Sequence, residues 1–502
     1  MGAAGVAGAA GLPIPLVAAD PSGKSRRPPR ASPIRGEEVR SIIFFALDGT
    51  GFEDLATAAF FSRRIRDRPF LYEEILARGS SGAMLPHSLT SVVTDSAAAT
   101  TAWSTGRKVV NGALSQFPDG RDLHTILELA REQGKATGLV TTARITHATP
   151  AGWVARVPHR DLEEAIALQY LEFAPDVLLG GGIGPFHATE REDGRDLLAE
   201  FGAAGYRVVT SEDELERSNA SRLLGAFTPG TQHLSYEIDR RYQGAPGPSL
   251  AGITSKALQV LDGAEKGFVL QVEAGRIDHA NHDNDAGGFL WDWMAADDAL
   301  RVLVDYVDRN PGTLLISAAD HDTGGGVLYG LGSGYNDSTP AFERLGDARA
   351  SLVRVRNRLG RTPSAADVGD TIRELLGFRP SRSQVEAIQR VMGDGERHGH
   401  ASAHSSRLHS LQFILSGVPS GETDRPNVSF ATGRHTGGMV PVLCYGAGVN
   451  GASLGVVDNT ELFGWMTGSL GMEGFENPYM TEAEALEFAA LEVDRGGRPH
   501  WA

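Results

Sequence analysis

Asp95 and Ser96 stand side by side in VTDSAAATTAWSTGRK (93–108), an acid and a hydroxyl just ahead of a run of small residues. A serine hydroxyl is a poor nucleophile until it loses its proton, and this segment holds no histidine to take it. A metal ion is the other remedy. Zn²⁺ lowers the pKa of bound water from about 16 to about 7 and should acidify a bound serine oxygen in the same sense. Candidate ligands lie elsewhere in the chain. In IDHANHDND, Asp278 and His282 are four residues apart and share one face of a helical turn, and Zn²⁺ accepts both carboxylate oxygen and imidazole nitrogen. Asp320 and His321 are adjacent, and His435 stands in the glycine-bracketed GRHTGG. Asp48, Thr149 and Glu273 offer hard oxygen ligands of the kind that suit Mg²⁺. Each feature has a plainer alternative: Asp95 as an ordinary N-cap of a helix starting at SAAATTAW, each histidine as a hydrogen-bonded structural residue. The case for metals rests on joint placement.

That placement depends on the elements between the motifs. SIIFFAL (41–47), TGLVTT (137–142), VLLGG (177–181), GFVLQVE (267–273), TLLISAA (313–319) and VPVLCYG (440–446) are apolar, largely β-branched runs that read as buried strands. TILELAREQG (125–134), DLEEAIALQYLEF (161–173) and SLAGITSKALQVL (249–261) read as amphipathic helices. The alternation predicts an α/β fold with a mostly parallel central sheet flanked by helices on both faces. In such sheets ligands bind beyond the carboxyl ends of the strands. There the first strand delivers Asp48, GFVLQVE ends in Glu273, and TLLISAA runs into Asp320 and His321. A single acid could be a helix cap; three acids, two with histidines close behind, point to a site.

The expected organisation is a tail with linker over 1–39, a catalytic core over 40–330, an inserted helical and loop region over 331–432, and core completion with a C-terminal segment over 433–502. Within the insertion, 364–378 and 381–392 predict helices. His398, His400, His404 and His409 fall in a polar stretch that reads as a solvated loop rather than a metal site. The formal charge of −16 over 502 residues argues against broad nucleic-acid binding, which needs clustered basic residues. No segment reads as a membrane span. The N-terminal GAAGVAGAAGLPIPLVAAD has the apolar character of a secretory signal but lacks a basic start; a disordered tail is the other reading. Cys444 is the single cysteine, so no intrachain disulfide forms, and its apolar run predicts a buried, inert thiol.

VTDSAAATTAWSTGRKVVNGAL, TTARITHATPAGWVARVPHR, GFVLQVEAGRIDHANH, ISAADHDTGG and GRHTGG together resemble the motifs of the alkaline phosphatase family, in the family's order. The resemblance covers roughly residues 40–330 and from about 433 onward. It implies hydrolysis of phosphate monoesters through a covalent phosphoserine on Ser96. It implies two Zn²⁺, one held by Asp278, His282 and His435, the other by Asp48, Asp320, His321 and Ser96. It implies a Mg²⁺ held by Asp48, His147, Thr149 and Glu273. Arg160 matches the arginine that grips two phosphate oxygens, while Arg144 and Arg156 are expected on the solvated surface. His147 and His279 stand where one bacterial branch of the family has Asp and Lys. His279 is expected to touch phosphate, and the softer imidazole of His147 favours a third Zn²⁺ over Mg²⁺. A homodimer and a periplasmic or secreted location are also implied. The alternatives are a phosphodiesterase of the same superfamily and a non-catalytic phosphate- or metal-binding protein. A sulfatase is not expected, because DSAAAT lacks the C/S-x-P-x-R pattern.

Overall fold

The computed structural model describes residues 39–393, 411, 414–415 and 426–494 apart from 473. Nearly all of the expected N-terminal tail, and the segment with His398, His400, His404 and His409, lie outside the described residues. The strands in chain order are β1 (Ser41–Ala46), β2 (Ser80–Leu85), β3 (Ala136–Arg144), β4 (Val177–Gly181), β5 (Arg207–Val209), β6 (Leu223–Ala226), β7 (Phe268–Glu273), β8 (Thr313–Ala318), β9 (Asp322–Thr323), β10 (Gly326–Leu328), β11 (Val428–Phe430), β12 (His435–Thr436), β13 (Val440–Gly446) and β14 (Gly455–Asp458).

Ten of them form one open sheet in the order β14-β2-β13-β8-β1-β7-β3-β4-β6-β5. Every neighbouring pair is parallel except the two made by β13, which runs antiparallel to both β2 and β8. The mostly parallel α/β sheet expected from the strand–helix alternation is therefore present. Every residue of β1, β7 and β8 is buried, as strands covered on both faces must be. Helices flank the sheet, among them Ser96–Thr105, Glu163–Phe173, Leu250–Leu261 and the 24-residue Ala286–Arg309. No helix among the described residues is long and apolar enough to cross a membrane.

Register carries the sheet's consequence for function. Ala46 pairs with Ala318 and with Glu273. Asp48 and Asp320 each follow two residues beyond Ala46 and Ala318, so they leave the sheet at the same height, just above Glu273. β3, the next strand after β7, continues into His147 and Thr149. Four adjacent strands thus send their candidate ligands to one edge.

β10 and β11, which bracket a long region of the chain, form a two-stranded ribbon, with Gly326 opposite Phe430 and Leu328 opposite Val428. Three helices in this region, Leu352–Leu359, Ala365–Leu376 and Arg382–Gly393, pack around an apolar cluster of their own that includes Val355, Val368, Ile372 and Ile388. Buried acids of the core hold the first of them by its start. Asp239 accepts from Ser351 N at 2.9 Å and Ser351 Oγ at 2.6 Å, and Asp285 accepts from Leu352 N at 2.6 Å.

The largest side chains tie the sheet to the helix that carries Ser96. Phe44 of β1 lies between Trp103 and Trp153, with ring centroids 4.9 Å away in both directions and all three rings fully buried. Phe44→Ala is expected to cost about 3–5 kcal/mol of stability, measured as a lowered denaturant midpoint with an unchanged slope.

Candidate active site

The helix Ser96–Thr105 is buried along its whole length. Its small side chains let it lie against Gly152, where a Cβ would sit 2.3 Å from Thr100 Cγ2. Asp95 is its N-cap. Asp95 Oδ1 accepts from Ala98 N at 3.0 Å, while Oδ2 accepts from Gly112 N and from Arg160 Nη1, both at 3.1 Å. The plain reading of Asp95 as an N-cap is therefore correct, and the same carboxylate also fixes Arg160. Burial works against its charge, but the Arg160 guanidinium and the Ala98 and Gly112 N–H donors together outweigh burial and hold the carboxyl below its usual range. Ser96, at the first helical position, points its Oγ at His321 Nε2, 3.1 Å away.

Three groups of ligand atoms converge beside it: Asp278 with His282 and His435; Asp48 with Asp320 and His321; and Asp48 with His147 and Glu273. Hydrogen bonds fix which nitrogen each ring presents. His282 Nδ1 lies 2.9 Å from Gly433 O and His435 Nδ1 lies 2.9 Å from Thr94 O. A carbonyl only accepts, so both Nδ1 atoms carry the proton and both Nε2 atoms are bare lone pairs. Yet the two Nε2 atoms face each other at 3.0 Å, with Asp278 Oδ1 3.4 and 3.7 Å away. Bare nitrogens aimed at one point, with their other nitrogens tied to acceptors, are the arrangement of metal-ligating histidines. Thr323, in β9 opposite His435, extends this order. Its hydroxyl donates to Asp278 Oδ1 at 2.6 Å and so accepts from His321 Nδ1 at 3.2 Å, linking one group to the next. Gly49, at φ +71°, makes room for this packing: a Cβ there would lie 2.6 Å from Asp278 Cα.

The electrostatics of these groups call for positive charge. Burial, then repulsion from Asp320, Asp278 and Glu273, drives the Asp48 carboxyl well above its ordinary range. Burial likewise pushes Glu273 up to about 7. Asp320 goes the other way: burial would raise it, but His321 and the Gly49 N–H together lower it, and Asp320 in turn raises His321 against burial. His321 Nε2 lies 3.1 Å from both Asp320 Oδ2 and Ser96 Oγ, where a cation would serve all three. Both oxygens of Asp48, Thr149 Oγ1 and Glu273 Oε1 are buried without a hydrogen-bond partner among the described residues. Such groups are costly to leave bare, and their donor set fits divalent cations.

On the other flank, Arg160 Nη2 donates to His147 Nε2 at 2.8 Å. The His147 ring is 5.5 Å from that of His279, which packs 3.9 Å from His233. Burial lowers all three imidazoles well below their ordinary range, helped by Arg160 at His147, Arg276 at His233 and His233 at His279. Every residue expected at the site is thus brought to this edge of the sheet. Two expectations need correction. Arg144 is not a solvated surface residue: Nε donates to Glu163 Oε1 at 2.8 Å and Nη1 lies 3.2 Å from His233 Nε2. Arg156 is likewise held, pairing with Glu128 and donating to Leu123 O at 3.0 Å. His233 and Thr323 escaped sequence reasoning. Thr323 sits inside the DHDTGG motif, but nothing marks its hydroxyl as a bridge, and His233 occupies a loop with no spacing signal.

The family model described as alkaline phosphatase matches residues 39–472. The chain belongs to the alkaline phosphatase family. Alkaline phosphatase 3 of Bacillus subtilis (strain 168) is 31% identical over 437 residues, 85% of this chain and 88% of its own length. The crystal structure of Thermus thermophilus alkaline phosphatase aligns with a TM-score of 0.86 at 43% identity, covering 96% of this chain and 100% of that one. A cold-active alkaline phosphatase from a Shewanella psychrophile gives 0.72 at 28% identity, covering 86% and 99%. As a member of this metal-dependent alkaline phosphatase family the chain is a phosphatase, and its three ligand groups are its candidate metal sites. If these groups hold divalent cations, chelation leaves their acids without countercharge. It is expected to lower the melting temperature by about 5 °C or more, with recovery on adding Zn²⁺; calorimetric melting curves check this.

Proposed function

We propose that this phosphatase hydrolyses phosphate monoesters through a phosphoserine on Ser96, with two Zn²⁺ and one further divalent cation. Asp278, His282 and His435 would hold the first zinc; Asp48, Asp320 and His321, with Ser96, the second; Asp48, His147, Thr149 and Glu273 the third ion. When bound, the zinc pair supplies Lewis acidity that lowers the pKa of a coordinated oxygen and offsets charge on oxygens in the transition state. The observation that carries this reading is the aim of Ser96 Oγ at the point shared by His321 and Asp320.

The chain's own residues then divide the reaction. Ser96 Oγ loses its proton and attacks phosphorus; the Ser96 O–P bond forms and the ester O–P bond breaks, releasing the alcohol. Water next attacks the phosphoserine, breaking the Ser96 O–P bond and returning the hydroxyl. Asp95 holds Arg160 so that its guanidinium fork can pair with two oxygens of the phosphoryl group, and His279 presents an N–H to the same group. Because phosphoryl transfer depends mainly on positioning and charge stabilisation, this fixed fork is a large part of what the protein contributes. A monoester offers more free oxygens to that fork than a diester does, which favours phosphomonoesterase over phosphodiesterase action.

The reading also treats residues 331–432 as an insertion on a core made by the rest, and expects a homodimer in the periplasm or outside the cell. Ser96→Ala is expected to lower turnover of a phenyl phosphate by on the order of 10³-fold or more, and wild type should prefer the monoester to its methyl diester. Undiminished hydrolysis by the variant would sink the phosphoserine route. At the third site the imidazole of His147 favours zinc. Metal analysis after dialysis is expected to find Mg²⁺ weakly retained, and tightly held Mg²⁺ would count against that assignment.

A further inference from the structure

Arg160 and the third ligand group make claims on the same lone pair. A guanidinium only donates, so in the 2.8 Å hydrogen bond between Arg160 Nη2 and His147 Nε2 the imidazole accepts. His147 is therefore a neutral ring with its lone pair on Nε2 and its proton on Nδ1. That Nδ1 is buried without a hydrogen-bond partner among the described residues, an arrangement that costs free energy. The same ring offers a ligand atom to the group it forms with Asp48 and Glu273, whose ligand atoms all lie within 4.8 Å of one another. A neutral imidazole has one lone pair to give. A cation on Nε2 would displace the guanidinium directly. A cation on Nδ1 would require the proton to stand on Nε2, facing the N–H of Arg160. Through either nitrogen, His147 cannot hold a cation and keep the bond from Arg160. Asp48 and Glu273 are under no such limit, since each carboxylate has lone pairs to spare.

We propose that His147 is a positioning residue that makes the third cation and the phosphate grip interdependent: a divalent cation held by Asp48, His147 and Glu273 releases Arg160 Nη2 from His147 for a phosphoryl oxygen. This rests on the reading above of that group as a cation site and of Arg160 as the grip. Release does not set the side chain loose. Asp95 Oδ2 accepts from Arg160 Nη1 at 3.1 Å, and the same carboxylate is tied to Ala98 N and Gly112 N at 3.0 and 3.1 Å. Nη2 alone changes partner, while Asp95 keeps the guanidinium beside Ser96. With the group empty, His147 competes with phosphate for Nη2. Linkage is reciprocal, so the cation tightens phosphate by the same factor by which phosphate tightens the cation.

Attraction between a cation and a phosphate couples the two on its own, and His147→Asn separates that effect from competition for the lone pair. The carboxamide is neutral like the ring, but its oxygen has two lone pairs and can meet a cation and Arg160 together. Mg²⁺ is titrated calorimetrically into enzyme dialysed to retain the zinc pair alone, with and without saturating inorganic phosphate. In wild type, phosphate is expected to lower the Kd of Mg²⁺ about 10-fold, and in His147→Asn less than about 3-fold. Mg²⁺ should lower the Kd of phosphate by the matching factor, a readout that a merely structural His147 would not move. Equal coupling in the two proteins would overturn the proposal and leave charge attraction as the whole effect. His147→Asp, whose carboxylate also has spare lone pairs, replaces the Asn variant if that variant unfolds or takes no Mg²⁺. Wild type that takes up no Mg²⁺ sinks the cation-site reading itself, whereas Mg²⁺ uptake indifferent to phosphate sinks only the link to Arg160.

Discussion

Asp48, Glu273, Asp278 and Asp320 are packed together at one edge of the sheet with almost no access to water. At an effective dielectric constant near 20, two like charges about 4 Å apart repel by about 4 kcal/mol, and each has also lost its hydration. Such a cluster has two ways to persist: it can take up protons, or it can take up cations. Burial favours the first, by pushing up the carboxyls of Asp48 and Glu273. His282 and His435, whose bare nitrogens turn inward, suit the second. A parallel sheet suits this because its carboxyl ends all face one way. Register then sets several acids at the same height, and the backbone hydrogen bonds of the ladder resist the repulsion between them.

Much of this was legible in the chain before any coordinates. The six apolar runs that predicted strands all became strands of the large sheet, because each is a short, β-branched or leucine-rich segment buried on both faces. What stayed hidden follows from the same physics. β2 has the sequence SSGAML and is only partly buried, so it carries no apolar run to detect. β5 and β6 are short, and β13 looks like any other buried strand although its direction is reversed, which no local pattern encodes. At the site, the candidate ligands within motifs were legible because metal binding would constrain residue type and spacing together. Thr323 and His233 make their contacts through a hydroxyl and a ring face brought in from a two-residue strand and a loop, and such contacts leave no period in the sequence. Arg144 and Arg156 were misplaced for a related reason: an arginine in a loop reads as solvated unless its acid is visible, and Glu163 and Glu128 lie 19 and 28 residues away.

The proposed nucleophile and the proposed phosphate grip share one anchor. Asp95 caps the helix that begins at Ser96 and, through its other oxygen, fixes Arg160. A displacement of the helix start would therefore carry the guanidinium with it and keep attacking oxygen and grip in step. The packing beneath enforces the same coupling, since Trp103 on that helix and Trp153 beside Gly152 clasp Phe44 of β1. The strand that delivers Asp48 thus also positions the helix that delivers Ser96.

Thr323 closes the arrangement on the opposite side. It lies in β9 just after His321, and β9 pairs with β12, so the hydroxyl, His321 and His435 move as one ribbon. Its bond to Asp278 crosses to the helix Arg276–His282 that follows β7. The first and second ligand groups consequently share a hydrogen-bonded link as well as a sheet edge, and neither can open without disturbing the other. An in-line displacement places its entering and leaving oxygens on opposite sides of phosphorus and needs the groups facing them at a fixed separation. A single buried hydroxyl joining a histidine of one group to a carboxylate of the other is a direct way to hold that separation constant while charge moves between the two.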